Sequence, residues 1–276
     1  MRVSTNQLLG VGLEAIQKNS TDVMNYQQQI SSGNKYQKAS DSGLAAGLSV
    51  QVVLDQSQYS MYKVNQDYLT ASYSSSQTQI SAINDDLIRA QQLMVQAGND
   101  AIGASGRQSI AQELTSLRDS ITQAANAKDA NGQPILKSSV HQIDVAPNVT
   151  LASGILYSDV MNKSVDVIAT LNNVISTLNP SSGSPSAPTS QEMQDMQTAL
   201  TQVNSAEVGV GVLQNQLTSA TDMANTQKTN VDTQRSNLLD TDLAAASAGL
   251  MKSNALLSAA QSVMAKMDVN SLFSKL

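Results

Sequence analysis

His141 is the single histidine of this 276-residue chain, and cysteine is absent. One imidazole without thiolates makes no usual zinc or iron site unless several carboxylates join it. His141 lies in Val140-His141-Gln142-Ile143-Asp144-Val145, where apolar and polar residues alternate, so it reads as a strand residue. Asp240 and Asp242 offer a pair of acids or two metal ligands; the plainer reading is a capped helix start, favoured by the helix dipole. Ser40-Asp41 also reads as a cap, and Asp85-Asp86 as a solvated helix face. No G-x-x-x-x-G-K-[ST] loop occurs. Gly209-Val210-Gly211 sits inside a helical pattern with no strand before it, a poor phosphate cradle, and points instead to close packing there. With one histidine among many serines, no Ser/His/Asp set can be specified. The residues thus indicate no catalytic group, no cofactor and no metal.

Composition points the same way. Charged residues are 14% against the usual quarter or so, and aromatics 3%, with no Trp and a single Phe. Ser, Thr, Asn and Gln supply 106 of the 276 residues. So few rings make one large round core a poor expectation. The net charge of −6 argues against nucleic acid as a partner, because phosphate binding needs a basic surface. No run of 18 apolar residues is present, so no membrane association is expected, and disulfides are excluded. The opening Met1-Arg2-Val3-Ser4-Thr5-Asn6 lacks the apolar stretch of a secretory signal, leaving either the cytoplasm or a route that reads no such signal.

All five prolines, from Pro134 to Pro188, fall in the middle of the chain. The flanks are therefore free to form long helices. They carry seven-residue spacing. In the first segment Leu9, Ile16, Val23 and Ile30 lie seven apart. A second stripe runs Tyr59, Gln66, Tyr73, Ile80, Leu87, Met94, with Tyr62, Leu69, Ser76, Ile83, Ala90, Ala97 three residues after each. A helix from about Asp41 to Gly98 would be on the order of 87 Å long. Ile110, Leu114, Leu117 and Ile121 make a third stripe after a Gly103–Gly106 turn, ending near Asn131-Gly132. Towards the C-terminus Val203, Val210, Leu217, Ala224, Val231 and Leu238 repeat the pattern, beside Ala206, Leu213 and Ala220. The phase breaks at Asp240-Thr241-Asp242, and Leu243, Leu250, Leu257 and Met264 begin a new stripe.

The middle reads as a turnaround: a strand at 140–145, another at 149–151, a helix over Asp159–Asn179 and a Pro/Ser loop after it. Tyr59, Tyr62 and Tyr73 read as helix–helix core. The two terminal stripes are narrow seams that bury little in a single chain, which favours assembly through both termini over an internal coiled coil. The expected fold is mainly α: an elongated rod of long N- and C-terminal helices with coiled-coil packing, plus a small mixed α/β middle lobe. The expected division is 1–40 with 240–276 for assembly, 41–132 with 190–239 for the helical rod, and 133–189 for the lobe.

Several segments then align with one family. Met1-Arg2-Val3-Ser4-Thr5 resembles the start of the type 3 flagellar hook-associated proteins, the hook-filament junction proteins of the flagellin superfamily. Ile30-Ser-Ser-Gly-Asn-Lys-Tyr-Gln-Lys-Ala-Ser-Asp41 is similar to the segment between that family's first two helices. Arg107, Glu113, Asn126 and Asn131-Gly132 fall where the family has an Arg, a Glu and an Asn-Gly turn. Val145-Ala-Pro-Asn-Val-Thr150 resembles a family strand, and Glu207-Val-Gly209 the start of its returning helix. Arg235-Ser-Asn-Leu-Leu-Asp-Thr-Asp242 with the stripe after it resembles the shared flagellin C-terminus, and Ser271-Leu-Phe-Ser-Lys-Leu276 the junction proteins' ending. The chain departs at Asn131-Gly-Gln-Pro-Ile-Leu136, where the family's hairpin carries aromatics, and its middle lobe is short.

The resemblance implies a structural adaptor without catalysis, exported unfolded through the flagellar type III apparatus to the extracellular flagellum. Its implied partners are hook-associated protein type 1, flagellin, copies of itself in a ring, and an export chaperone. The implied interface is Leu9, Ile16, Val23, Ile30, Leu243, Leu250, Leu257 and Met264, on helices disordered or frayed before assembly. A flagellin filament subunit and a cytoplasmic coiled-coil scaffold or signalling module are the competing readings.

Overall fold

A computed structural model describes residues 5–273, with side chains described at residue 7 and from 10 to 266. The elements run α1 (Thr5–Ser32), α2 (Gly43–Ala97), α3 (Gly103–Ala125), β1 (Leu136–Lys137), β2 (Gln142–Ala146), β3 (Val149–Ala152), β4 (Ile155–Leu156), α4 (Tyr157–Met161), α5 (Val167–Leu178), α6 (Ser190–Leu239) and α7 (Leu243–Phe273). The fold is mainly α, with long helices at both ends and a small strand-containing middle, as expected. The chain divides into two units, Met1–Ser57 with Lys228–Leu276, and Gln58–Gln227.

The larger unit holds the core. From Tyr62 to Ala97 every residue of the two seven-spaced rows of α2 is buried, including Gln66 and Ser76; Tyr59 is half-buried and stacks edge-on to Tyr62 at 6.0 Å. α6 meets them with Val203, Val210, Leu217, Ala220 and Ala224. A polar row flanks this seam. Gln77 Nε2 donates to Glu207 Oε1 at 2.9 Å, Asn84 Nδ2 to Asn204 Oδ1 and Glu207 Oε2, and Gln91 Nε2 to Gln197 Oε1. Glu207 is therefore a tie between α2 and α6. Residues 77, 84 and 91 are spaced by seven, and they zip the two helices in antiparallel order. α6 starts with a reciprocal cap: Thr189 N–H donates to Glu192 Oε2, and Glu192 N–H to Thr189 Oγ1.

α3 packs on α5, burying Ile110, Leu114 and Ile121 against Leu171 and Val174. The corner before α3 lies at 98–102 rather than at Gly103–Gly106. Asn99 Oδ1 caps it by accepting from Ala101 N–H, and Gly106 is already helical beneath Ile102. Arg107 Nε donates to the Ala97 carbonyl and so closes the end of α2. Glu113 receives both Nε and Nη2 of Arg89.

β2 and β3 form an antiparallel hairpin around Pro147-Asn148, with Asn148 in the left-handed region at φ 59°. The register slips at Val145, whose side chain is fully buried and whose carbonyl accepts from Gln66 Nε2. Asn65 and Tyr73 donate to the Asp144 and Ala152 carbonyls, so α2 grips both strands. β1 pairs with β4 in parallel. His141 is exposed just before β2, and its backbone N–H donates to Ser153 Oγ.

The helix expected over Asp159–Asn179 is two helices, broken at 162–166. Gln202 causes the break: its Oε1 accepts from the backbone of Ser164 and Val165, and its Nε2 donates to the carbonyls of Val160 and Val165. Asp166 then caps α5 through Ala169 N–H. Gly209 and Gly211 do not mark close packing; a Cβ on either would meet nothing within 4 Å.

Candidate assembly surface

The smaller unit is built differently. Its described buried residues are Ala45, Val52, Ala246 and Ser253. α1 packs on α7 in antiparallel order, with Gly12 beneath Met264 and Gly249 beneath the ring of Tyr26. On α1 the partly covered rows are Gly12, Asn19, Tyr26 and Ile16, Val23, Ile30. On α7 the covered rows are Ala246, Ser253, Ala260, the first two of them buried, and Leu250, Leu257, Met264, half-buried. Steps of four and three alternate along both helices, which is coiled-coil spacing. Small residues fill one row of α7, so the helices sit close while little apolar area leaves water.

Ile16, Val23, Ile30, Leu250, Leu257 and Met264 are thus half-buried along this pair. Leu243, the first residue of α7, is 55% exposed. The side chain of Leu9 lies outside the described residues.

The corners of the two helices are stitched together. Lys35 N–H donates to the Leu239 carbonyl and Thr241 N–H to the Gly33 carbonyl, with Asn34 opposite Asp240. Asp242 caps α7, its Oδ1 accepting from Ala244 and Ala245 N–H at 2.9 and 3.0 Å. Asp240 lies in the corner bridge, 3.9 Å from Arg235. At the start of α2 the cap is Ser42, which accepts from Ala45 N–H, and not the expected Ser40-Asp41. Asp41 instead accepts from the backbone of Lys38 and Gln37, and these bonds hold its carboxyl below the usual range. Asp232 is held low by Lys228 and by Gln56 Nε2, which ties α2 to α6 within this unit.

What the unit does not bury, it displays. Val11, Leu13 and Met24 on α1, Leu44, Leu48, Val50, Val53 and Leu54 on α2, and Leu243, Met251, Leu256 and Val263 on α7 are 44–73% exposed. That is twelve described large apolar side chains, against eight in the larger unit with its 170 residues. Positions 43–54 carry no charge, and Lys252 is the one charge between 243 and 265. Scattered exposed apolar residues are ordinary; a concentration on uncharged helix faces marks an interaction surface. The heptads reveal the inner faces from sequence; apart from Leu243, the outer apolar residues belong to none of those seven-spaced rows.

Among the described residues no three acids or histidines gather as metal ligands, and no helix is long and apolar enough to cross a membrane.

Residues 3–141 match the family model of the bacterial flagellin N-terminal helical region, and residues 193–274 that of the flagellin C-terminal helical region. The chain belongs to the bacterial flagellin family. Flagellin-family helices therefore account for both flanks, and the unmatched stretch begins at the hairpin and ends at the start of α6. Among curated proteins, this flagellin-family chain is 28% identical to flagellar hook-associated protein 3 of Salmonella typhimurium, and equally to that of Escherichia coli, over 147 residues. The match covers 53% of the chain and 46% of each relative, so it spans about half the length of those proteins. A Vibrio parahaemolyticus structure assigned to a flagellar hook-associated protein superposes with a TM-score of 0.63 at 19% identity, covering 72% of this chain and all of that one. Xanthomonas campestris FlgL superposes at 0.57 and 14% identity, over 66% of this chain and 98% of its own. At these identities the structural likeness speaks for the fold.

Proposed function

We propose that this flagellin-family chain is a structural adaptor of the bacterial flagellum, joining the hook-associated region to the flagellin filament. The carrying observation is the contrast between the two units: one owns a full core, the other exposes uncharged apolar helix faces. A chain that folds one half on itself and leaves the other apolar and open is suited to assembly, not to turnover. The relatives named hook-associated protein 3 favour the junction among flagellar roles.

In this reading residues 1–40 with 240–276 form the assembly domain, 41–132 with 190–239 the rod, and 133–189 a small outer lobe. Leu9, Ile16, Val23, Ile30, Leu243, Leu250, Leu257 and Met264 form the seam, which is marginal in a free chain and stabilised when copies meet. Burying one exposed Leu, Val or Met is worth about 1.5–3 kcal/mol, so a few per subunit suffice to order the ends. The partners are copies of the same chain in a ring, hook-associated protein type 1, flagellin, and a chaperone before export through the flagellar type III apparatus. No catalytic step is assigned.

Deleting the gene tests this. Bare hooks by electron microscopy, with flagellin monomer shed into the medium, are expected. Normal filaments would refute the junction role. Bare hooks with no exported flagellin would make the chain the filament subunit itself.

A further inference from the structure

We propose that two reciprocal glycine sockets, Gly12 under Met264 and Gly249 under Tyr26, fix the axial register of the α1–α7 pair. The apolar rows cannot do so alone. Ile16, Val23 and Ile30 recur every seven residues, as do Leu250, Leu257 and Met264. A slip of one heptad therefore returns apolar against apolar, so the rows by themselves do not oppose it.

The sockets do not repeat. A Cβ on Gly249 would stand 2.5 Å from Cζ of Tyr26 and within 3.0 Å of two further ring atoms. A Cβ on Gly12 would stand 2.7 Å from Sδ of Met264, whose flexible end can swing aside, so this second socket constrains the register less than the Tyr26 ring does. In a slip of seven residues, Tyr26 would face Leu256 or Asp242, and Met264 would face Thr5 or Asn19; each of these carries a Cβ where the glycine leaves room. The space is particular to these two positions. At Gly10, Gly43 and Gly47 of the same unit a Cβ would meet nothing within 4 Å. The arrangement is reciprocal, since each helix supplies one socket and one large side chain. The backbone bonds at 33–35 and 239–241 hold one end of the pair. Tyr26 on Gly249 and then Met264 on Gly12 carry that register outward along it.

Tyr26, Gly249, Gly12 and Met264 are positioning residues: they set which apolar side chains of the pair lie level. This rests on the assembly reading for its importance. Its test is internal to one chain, so it stands or falls separately.

The chain has no cysteine, which makes disulfide trapping clean. In the full-length protein, Val23→Cys with Ser253→Cys reports the observed register. Val23→Cys with Ala246→Cys or with Ala260→Cys reports a heptad slip in either direction. Trapping records whichever register the pair visits, even if the pair opens often. Under mild oxidation the 23–253 intrachain bond is expected to dominate. Adding Gly249→Val should lower its yield severalfold and raise 23–246 or 23–260. Adding Tyr26→Ala to Gly249→Val should restore 23–253, because the smaller side chain vacates the space. A 23–253 yield unchanged by Gly249→Val, or not restored by Tyr26→Ala, overturns the proposal.

Discussion

Tyr73 shows how a single side chain ties the long helix to the hairpin. Its ring is fully buried, its hydroxyl donates to the Ala152 carbonyl, and burial pushes its pKa up to about 12. Because the folded value lies above the ordinary 10, the neutral phenol is favoured by folding; that stability is complete below about pH 10 and is lost as the pH rises towards 12. Alkaline unfolding of the larger unit, followed by circular dichroism, should therefore steepen between about pH 10 and 12, and Tyr73→Phe should flatten that dependence. Asp41 and Asp232 act in the opposite direction. Their folded pKa values are lowered below 3.8, so what they contribute is present above that value and lost as the pH falls through the lowered ones. Asp232→Asn should make the smaller unit less sensitive to acid below about pH 4, as read by amide exchange in α7. Burial of the tyrosine row was legible from its spacing alone. Lys228, four residues before Asp232 on the same helix, was also within reach of spacing, whereas the turn that folds Lys38 and Gln37 N–H back onto Asp41 and the long-range partner Gln56 were not.

Helices were the most legible elements, and their exceptions have physical causes. The a/d rows of α2 and α6 predict long helices, and both are present, because periodicity records the face that a helix must bury. Asp242 does cap α7, as its placement before Leu243 suggests. Asp242→Ala should cost about 1 kcal/mol and fray the first turn of α7, measurable as faster amide exchange at Ala244 and Ala245. The cap of α2 moved to Ser42 because Asp41 is engaged by the turn before it. The break between α4 and α5 was illegible, since Gln202, about forty residues downstream, takes the backbone groups that a continuous helix would use. Gln202→Leu would leave two amide N–H groups and two carbonyls without that partner. An unfolding loss of roughly 2–4 kcal/mol in the larger unit, measured by urea titration, is expected. Gly209 and Gly211 misled because a glycine in a helix can signal tight contact or open space, and only coordinates distinguish them.

The whole molecule divides its apolar residues unevenly. The larger unit uses the seams of α2 and α6 and the hairpin to close a core; the smaller unit packs α1 on α7 with the large residues of that seam only half-buried and leaves twelve further large apolar side chains exposed. Few charges in the composition leave such exposed helix faces uncharged, but a whole-chain composition does not say that the two units differ. The outer faces themselves were not legible, because sequence periodicity marks the side a helix buries within its own chain. Met251 and Val263, 73% and 55% exposed on α7, probe that surface without entering the α1–α7 seam. The most direct measurement is incorporation of Met251→Asp/Val263→Asp into flagella of a strain lacking the wild-type gene. Thermal unfolding of the larger unit should match wild type, while the variant is exported yet absent from the hook-filament junction, leaving bare hooks. Normal filaments carrying the variant at the junction would contradict assembly through this surface.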